Sequence, residues 1–154
     1  MYQIINVHQY PAGLDEAARY LHHKWGDDGN YPFYCDVVQH SAASGTGLPQ
    51  FFLLMDEDEI AGCYGFIVND FISRHDLWPW LCCLYVAPAH RGQRLSGRLL
   101  EHAGQWLAAS PYASLYLTTD HDGFYEQFGW RRLADGYDPS GQPRSIYGLE
   151  REGR

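Results

Sequence analysis

The sequence predicts an α/β layer sandwich on a mixed sheet, and three observations carry that expectation. Short apolar runs of strand character alternate with segments of helical periodicity. One run, residues 80–86, is apolar on both faces, as a central strand covered on each side must be. That run passes through a basic, glycine-containing turn straight into an amphipathic helix.

The elements follow in order. Residues 2–9, with Ile4, Ile5 and Val7, read as a first strand that Pro11, Ala12 and Gly13 end. Leu14, Ala17, Ala18, Leu21 and Trp25 recur at helical spacing until Gly26-Asp27-Asp28-Gly29-Asn30 stops the pattern. A second helix is expected over about residues 32–43, from Phe33, Val37, Val38 and Ala42, closed by Ser44-Gly45-Thr46-Gly47. Residues 51–55 and 60–68 form a hairpin around the acidic tip Asp56-Glu57-Asp58-Glu59. After the central strand, Leu95, Leu99, Ala103 and Trp106 make one helical stripe that runs to Pro111. Residues 115–117 read as a strand, 124–128 as a short helix capped by Gly129, and 130–133 and 145–149 as two closing strands. The total is about seven strands and four helices in the order β-α-α-β-β-β-α-β-α-β-β. Residues 135–141 form a long polar connection, and residues 151–154 are expected to fray.

At 154 residues the chain suits a single domain, residues 1–154, able to bury a core without metal or disulfide staples. A net charge of -8 argues against nucleic acid or an anionic membrane as partner, because both need a basic footprint. Cys35, Cys63, Cys82 and Cys83 form no CxxC pair, and adjacent Cys82 and Cys83 would point to opposite faces of a strand, so buried free thiols are expected. No basic N-terminal region leads a long apolar stretch, and no run approaches the ~18 apolar residues of a membrane span; a cytoplasmic location is expected. The eight histidines show no HExxH and no zinc-type spacing, so no metal is expected and they read as surface or incidental residues.

The turn after the central strand is the most informative stretch. Arg91, Arg94 and Arg98 crowd a helix N-terminus, where backbone N–H groups lack partners and the macrodipole is already positive. An anion offsets that repulsion, and a pyrophosphate fits both charge and geometry. As a bare charge run the arginines would suit a solvated helix end; their place after a buried strand singles them out. Neither GxxxxGK[ST] nor a GxGxxG after a strand accompanies them, which argues against a nucleotide-phosphate enzyme.

The strand-turn-helix beginning at Leu84, together with Gly123-Phe124-Tyr125-Glu126-Gln127-Phe128-Gly129-Trp130, resembles the GNAT superfamily of acyl-CoA N-acyltransferases. The element order agrees over nearly the whole chain. The resemblance implies a mostly antiparallel GNAT-like sheet and transfer of an acetyl group from acetyl-CoA directly to a primary amine of a small molecule or peptide. Against the family pattern Arg/Gln-x-x-Gly-x-Gly/Ala, Arg91 takes the first position and Gly92 and Gln93 the variable ones. Arg94 and Ser96 stand where small residues are usual. Arg94 either obstructs the pyrophosphate or, with a helical backbone, splays outward and adds a charge-assisted bond to it.

The resemblance further implies that Arg91, Gly92, Gln93, Arg94, Leu95, Ser96 and Gly97 hold the pyrophosphate. The backbone of Leu84, Tyr85 and Val86 would line the pantetheine arm, with the Leu84 N–H polarising the thioester carbonyl. Tyr125 matches the family's frequent general acid, which protonates the departing thiolate. Its alternative is packing beside Phe124 and Phe128. Relatives often dimerise, and an exposed sheet edge offers a route to a homodimer.

Strand periodicity puts Trp80, Cys82, Leu84 and Val86 on one face and Leu81, Cys83 and Tyr85 on the other, with no carboxylate or histidine on either. Some relatives carry a Glu or His base at the Trp80 or Cys82 positions. Here a base must come from water or elsewhere, with Asp70, His75 and Asp76 as candidates beside their plainer reading as a polar loop. Cys82 as acyl carrier is disfavoured, because a thiol on an apolar strand holds little thiolate. Trp25, Tyr31, Tyr34, Asp70, Trp78 and Trp80 are candidates to wall an acceptor pocket, though aromatics are also ordinary core. The rival reading is a degenerate GNAT-fold module that binds CoA weakly or not at all and serves partner binding or regulation.

Overall fold

The computed structural model describes residues 1–152. Strands β1 (Tyr2–Asn6), β2 (Gln50–Asp56), β3 (Glu59–Ile67), β4 (Trp80–Val86), β5 (Ser114–Thr119), β6 (Arg131–Tyr137) and β7 (Pro143–Glu150) form one sheet in the order β1-β2-β3-β4-β5-β7-β6. Helices α1 (Leu14–Trp25) and α2 (Tyr31–Gln39) cover one face and α3 (Leu95–Ala109) the other. The element order is the expected one, with the short helix realised as a 3₁₀ turn over Tyr125–Phe128.

Each face has its own core. Ala17, Ala18, Leu21 and Val38 of α1 and α2 pack on Leu53, Met55 and Cys63, while Leu95, Leu99, Ala103 and Trp106 of α3 pack on Phe52, Tyr64 and Phe66. Both strands of the hairpin are therefore buried on both sides, like β4.

Several boundaries differ from expectation. β1 stops at Asn6, whose side chain caps a 3₁₀ turn over Val7–Gln9. α2 ends at Gln39 rather than near Ala43. β6 and β7 extend far enough that the connection between them shrinks to residues 138–142, where the Asp138 carboxylate accepts from the backbone N–H groups of Ser140 and Gln142. The expected long polar connection over residues 135–141 is thus a tight hairpin turn. Arg151 does not fray: its N–H donates to the Ala113 carbonyl at 2.8 Å and its guanidinium to Ser110 O. Residues 153–154 lie outside the described residues.

The decisive irregularity is in β4. Register runs from Gly65↔Cys82 to Cys63↔Tyr85, so Cys83 and Leu84 together oppose the single Tyr64, and Cys83 takes φ 58°. That is a β-bulge, and it resets the alternation of faces. Cys82 and Cys83 both join the α1–α2 core, while Leu81, Leu84 and Val86 join the α3 core. The expected face sharing of Cys82 with Leu84, and the opposition of Cys82 and Cys83, are both overturned. All four cysteines are free.

β4 and β5 are the sheet's parallel neighbours, and they pair at Trp80↔Tyr116 alone. Toward their C-terminal ends the strands part. The bulge lies on β4 at that opening.

Candidate active site

The two long helices begin in opposite ways. α1 carries Asp15 and Glu16 in its first turn and His22, His23 and Lys24 in its last, so its own charges complement its macrodipole. α3 has no acidic residue in its first turn, and its N-cap residue, Arg94, makes no side-chain capping bond. First-turn N–H groups are left for another acceptor. They border a cleft of about 540 Å³, walled by Val86, Arg91, Gly92, Arg94, Leu95, Ser96 and Gly97 on one side and by Phe124, Gln127 and Phe128 on the other.

Local geometry shapes this cleft. Gly92 adopts φ +86° with open space where a Cβ would stand. At Gly97 a Cβ would come within 2.8 Å of Phe128 Cε1, so the absence of a side chain lets α3 and the 3₁₀ turn close together. Arg91 is tied to the end of β4, its Nε donating to Val86 O at 2.9 Å and its guanidinium lying 5.7 Å from the Tyr85 ring centroid. Arg94 takes φ 59° and ψ 30°, a left-handed conformation that costs a non-glycine residue about 1–2 kcal/mol. The right-handed helical backbone considered for it is therefore not adopted, yet its exposed side chain borders the cleft rather than being buried in it.

Two other residues expected to bind the donor direct their side chains elsewhere. Tyr85 turns its ring to the α1–α2 face, leaving only its backbone to the β4 opening. Gln93 is directed to β1, its Nε2 donating to Tyr2 Oη at 3.1 Å and His90 O at 3.3 Å. Arg98 likewise donates to Tyr2 O. His90 and His102 are not incidental surface residues: His90 is buried with Nδ1 2.9 Å from Tyr2 Oη, and His102 hydrogen-bonds buried Tyr64.

A second cavity, of about 370 Å³, opens where β4 and β5 part. It brings together Leu84, Tyr125, Trp25 and Asp70 from four separate segments, with Thr119, Asp120, His121 and Arg144. Burial raises the Tyr125 phenol, partly countered by a hydrogen bond with Thr119, so the ring keeps its proton at neutral pH. Its ring also packs on Trp130 and Tyr147, so the packing role and the placement in the cavity coexist. Burial pushes the half-buried Asp70 carboxyl up to about 6. Asp120 differs, because Arg144 donates to both its oxygens at 3.0 and 2.8 Å.

The remaining candidates separate clearly. Asp76 is held by Arg74, whose guanidinium lowers its carboxyl to about 2, and neither it nor His75 borders the cavity. Tyr34 is half-buried, and its phenol is pushed up to about 12 by burial, with Cys83, Cys82 and Asp70 adding to the shift. Tyr31 packs against His22 at the start of α2, 5.1 Å between ring centroids, and Trp78 is half exposed; neither lines the cavity. Trp80 is fully buried, its Nε1 donating to Leu77 O at 2.6 Å, so it is core and not pocket wall. The Cys82 thiol is raised by its hydrogen bond with Cys83 and by burial, which removes it as a nucleophile.

Sequence reasoning missed Thr119, Asp120, His121 and Arg144. The signal was present: a strand, a crossover helix and a parallel strand place both strand C-termini side by side, where such sheets bind ligands. Among the described residues no group of three or more His, Cys, Asp or Glu could hold a metal ion, and no helix is long and apolar enough to cross a membrane.

Comparison with known proteins agrees with this architecture. Residues 48–132 match the model of the family described as Acetyltransferase (GNAT) domain. No curated protein matches the chain by sequence. Among solved structures, an aminoglycoside 6'-N-acetyltransferase complexed with coenzyme A superposes with TM-score 0.72 at 16% identity, covering 99% of this chain and 98% of that one. The ribosomal-protein-S18-alanine N-acetyltransferase of Escherichia coli gives 0.69 at 17% identity, covering 100% and 96%. A GNAT family acetyltransferase from Elizabethkingia anophelis with acetyl-CoA bound gives 0.64 at 15% identity, covering 97% of each chain.

Proposed function

The chain belongs to the GNAT acetyltransferase family, and from that premise we propose that it is an enzyme passing an acetyl group from acetyl-CoA directly to a primary amine in a ternary complex. One observation carries this reading. Two clefts adjoin at the bulged end of β4, one bordered by an uncapped helix N-terminus with two arginines, the other lined by Tyr125 and Leu84. Structural neighbours described with coenzyme A and with acetyl-CoA support the choice of donor.

The residues suit a pyrophosphate. First-turn N–H groups of α3 and the Arg91 and Arg94 guanidiniums supply donors and positive charge, and open space over Gly92 admits close approach to its backbone. Arg94 grips a phosphate from outside the turn. A bound thioester supplies an activated acyl carbon. Leu84 lies in the bulge, outside the one-to-one register with β3, and its N–H takes the role of stabilising charge that grows on the carbonyl oxygen. Tyr125, kept protonated by burial, delivers its proton to the departing thiolate.

Calorimetry tests the reading. Acetyl-CoA binds with micromolar affinity, and Arg91→Ala weakens that binding; absence of binding at millimolar acetyl-CoA overturns the enzyme and leaves the partner-binding module.

A further inference from the structure

The acceptor side of the cavity contains two carboxylates of different standing. Asp120 is neutralised by Arg144, whereas among the described residues no cation pairs with Asp70. Asp70 follows β3 and lines the cavity that also holds Leu84 and Tyr125. Phe71, the next residue, is 60% exposed at φ 54°, a conformation that a bulky side chain adopts only when its surroundings hold it. Its ring meets that of Phe33, 48% exposed, at 6.1 Å between centroids. Trp25, 47% exposed, lines the cavity itself. Phe33 and Phe71 lie outside the cavity lining, Phe71 adjoining Asp70 in the chain, while Trp25 forms part of the wall; an unpaired, half-buried carboxylate with such rings suits an ammonium joined to an apolar body.

We propose that Asp70 is the catalytic base of the transfer and that the aromatic rim beside it selects a small monoamine carried on an aromatic or apolar group. This rests on the acetyl-transfer reading above. A single unpaired carboxylate anchors one ammonium; a polyamine's second cation finds Asp120 already occupied by Arg144. The cavity's volume, about 370 Å³, fits a small molecule.

The proton inventory closes. Asp70 takes one proton from the ammonium, freeing the nitrogen lone pair, which forms the C–N bond to the acetyl carbon. The C–S bond breaks, its electron pair stays on sulfur, and Tyr125 protonates that thiolate. The nitrogen's surplus proton returns to the Tyr125 phenolate, and Asp70 releases its own to solvent. Each turnover liberates one proton. Around Asp70 stand Tyr34 of α2, Cys82 of β4 and, elsewhere on the cavity wall, Tyr125, His121 and the Asp120–Arg144 pair. Burial places the carboxyl near 6, so kcat/KM rises with pH through that value as the base ionises.

The test is a steady-state comparison of phenethylamine, tryptamine, spermidine and glycinamide with acetyl-CoA, read as CoA release. Phenethylamine or tryptamine is expected to exceed spermidine at least about 10-fold in kcat/KM. Asp70→Asn, nearly isosteric, lowers kcat about 100-fold, abolishes the limb near pH 6 and leaves acetyl-CoA affinity unchanged, while Asp70→Glu restores part of the rate. Phe71→Ala raises the acceptor KM several-fold with kcat retained. Preference for spermidine overturns the monoamine assignment, and an Asp70→Asn enzyme with the wild-type rate and pH limb overturns the base. Those results leave acetyl transfer standing, whereas loss of acetyl-CoA binding by the wild type removes both readings.

Discussion

The cleft at the start of α3 and the cavity between β4 and β5, which we propose as donor cleft and acceptor cavity, adjoin along β4, yet they are built by opposite means. One wall of the donor cleft comes from a continuous stretch, Val86 to Gly97, and its character is set by backbone N–H groups and fixed cations. The acceptor cavity gathers side chains from the end of α1, the β3–β4 connection, β4, the end of β5, the 3₁₀ turn and β7. A contiguous site recognises a shared, charged handle; a dispersed one can be varied segment by segment to fit an acceptor. Substitutions in the first should therefore act on donor affinity, and those in the second on turnover and acceptor choice.

The strongest challenge to that division is Tyr125→Phe. It is expected to lower kcat about 100-fold while acetyl-CoA affinity by calorimetry stays within about 2-fold. An unchanged kcat on an acetylated amine would remove the acid role. Arg91→Ala works from the other side, weakening acetyl-CoA binding about 10-fold with kcat at saturation nearly retained, because the guanidinium anchors the turn to Val86 and adds charge at the helix end.

Asp70→Asn sharpens the comparison through stability. The folded carboxyl titrates at about 6 and an unfolded one at ~3.9, so the folded state holds the proton more tightly between those values. Stability falls as pH rises through that window, and the penalty is full above it. For a carboxyl wholly shielded from water the window would correspond to ~2.9 kcal/mol. Asp70 is partly exposed, and solvent screening reduces the gain expected from Asn to about 1 kcal/mol at about pH 7.5. Thermal melting should show that gain vanish below about pH 4.

The smallest effect is expected at Arg94→Gly. Relief of the left-handed strain, less the extra entropy of glycine, stabilises the fold by about 0.5 kcal/mol, while loss of the guanidinium weakens acetyl-CoA binding about 3-fold. Equal or tighter binding would mean that Arg94 hinders the cradle.

Legibility in the sequence followed the same division. The apolar β4, the arginines after it and the stripe on α3 were readable because strand period, helix period and charge are local properties. The short helical turn that carries Tyr125 was readable because its motif is contiguous. The pairing of Asp120 with Arg144, 24 residues apart, was not, nor the distinction it draws between Asp120 and Asp70. Trp78 and Trp80 show the limit most plainly: two positions apart, one is half exposed and the other wholly buried.

Alternation of apolar and polar residues, turn residues and helix periodicity determined the element order, the central place of β4 and an anion-suited helix start, because each depends on neighbours within one turn or one strand. Tertiary structure decided which face Leu84 takes, since one extra residue in the bulge at Cys83 reverses every later side chain and no local pattern announces it. It also decided which carboxylate stays unpaired, because burial and ion pairing depend on segments that only the folded sheet brings together.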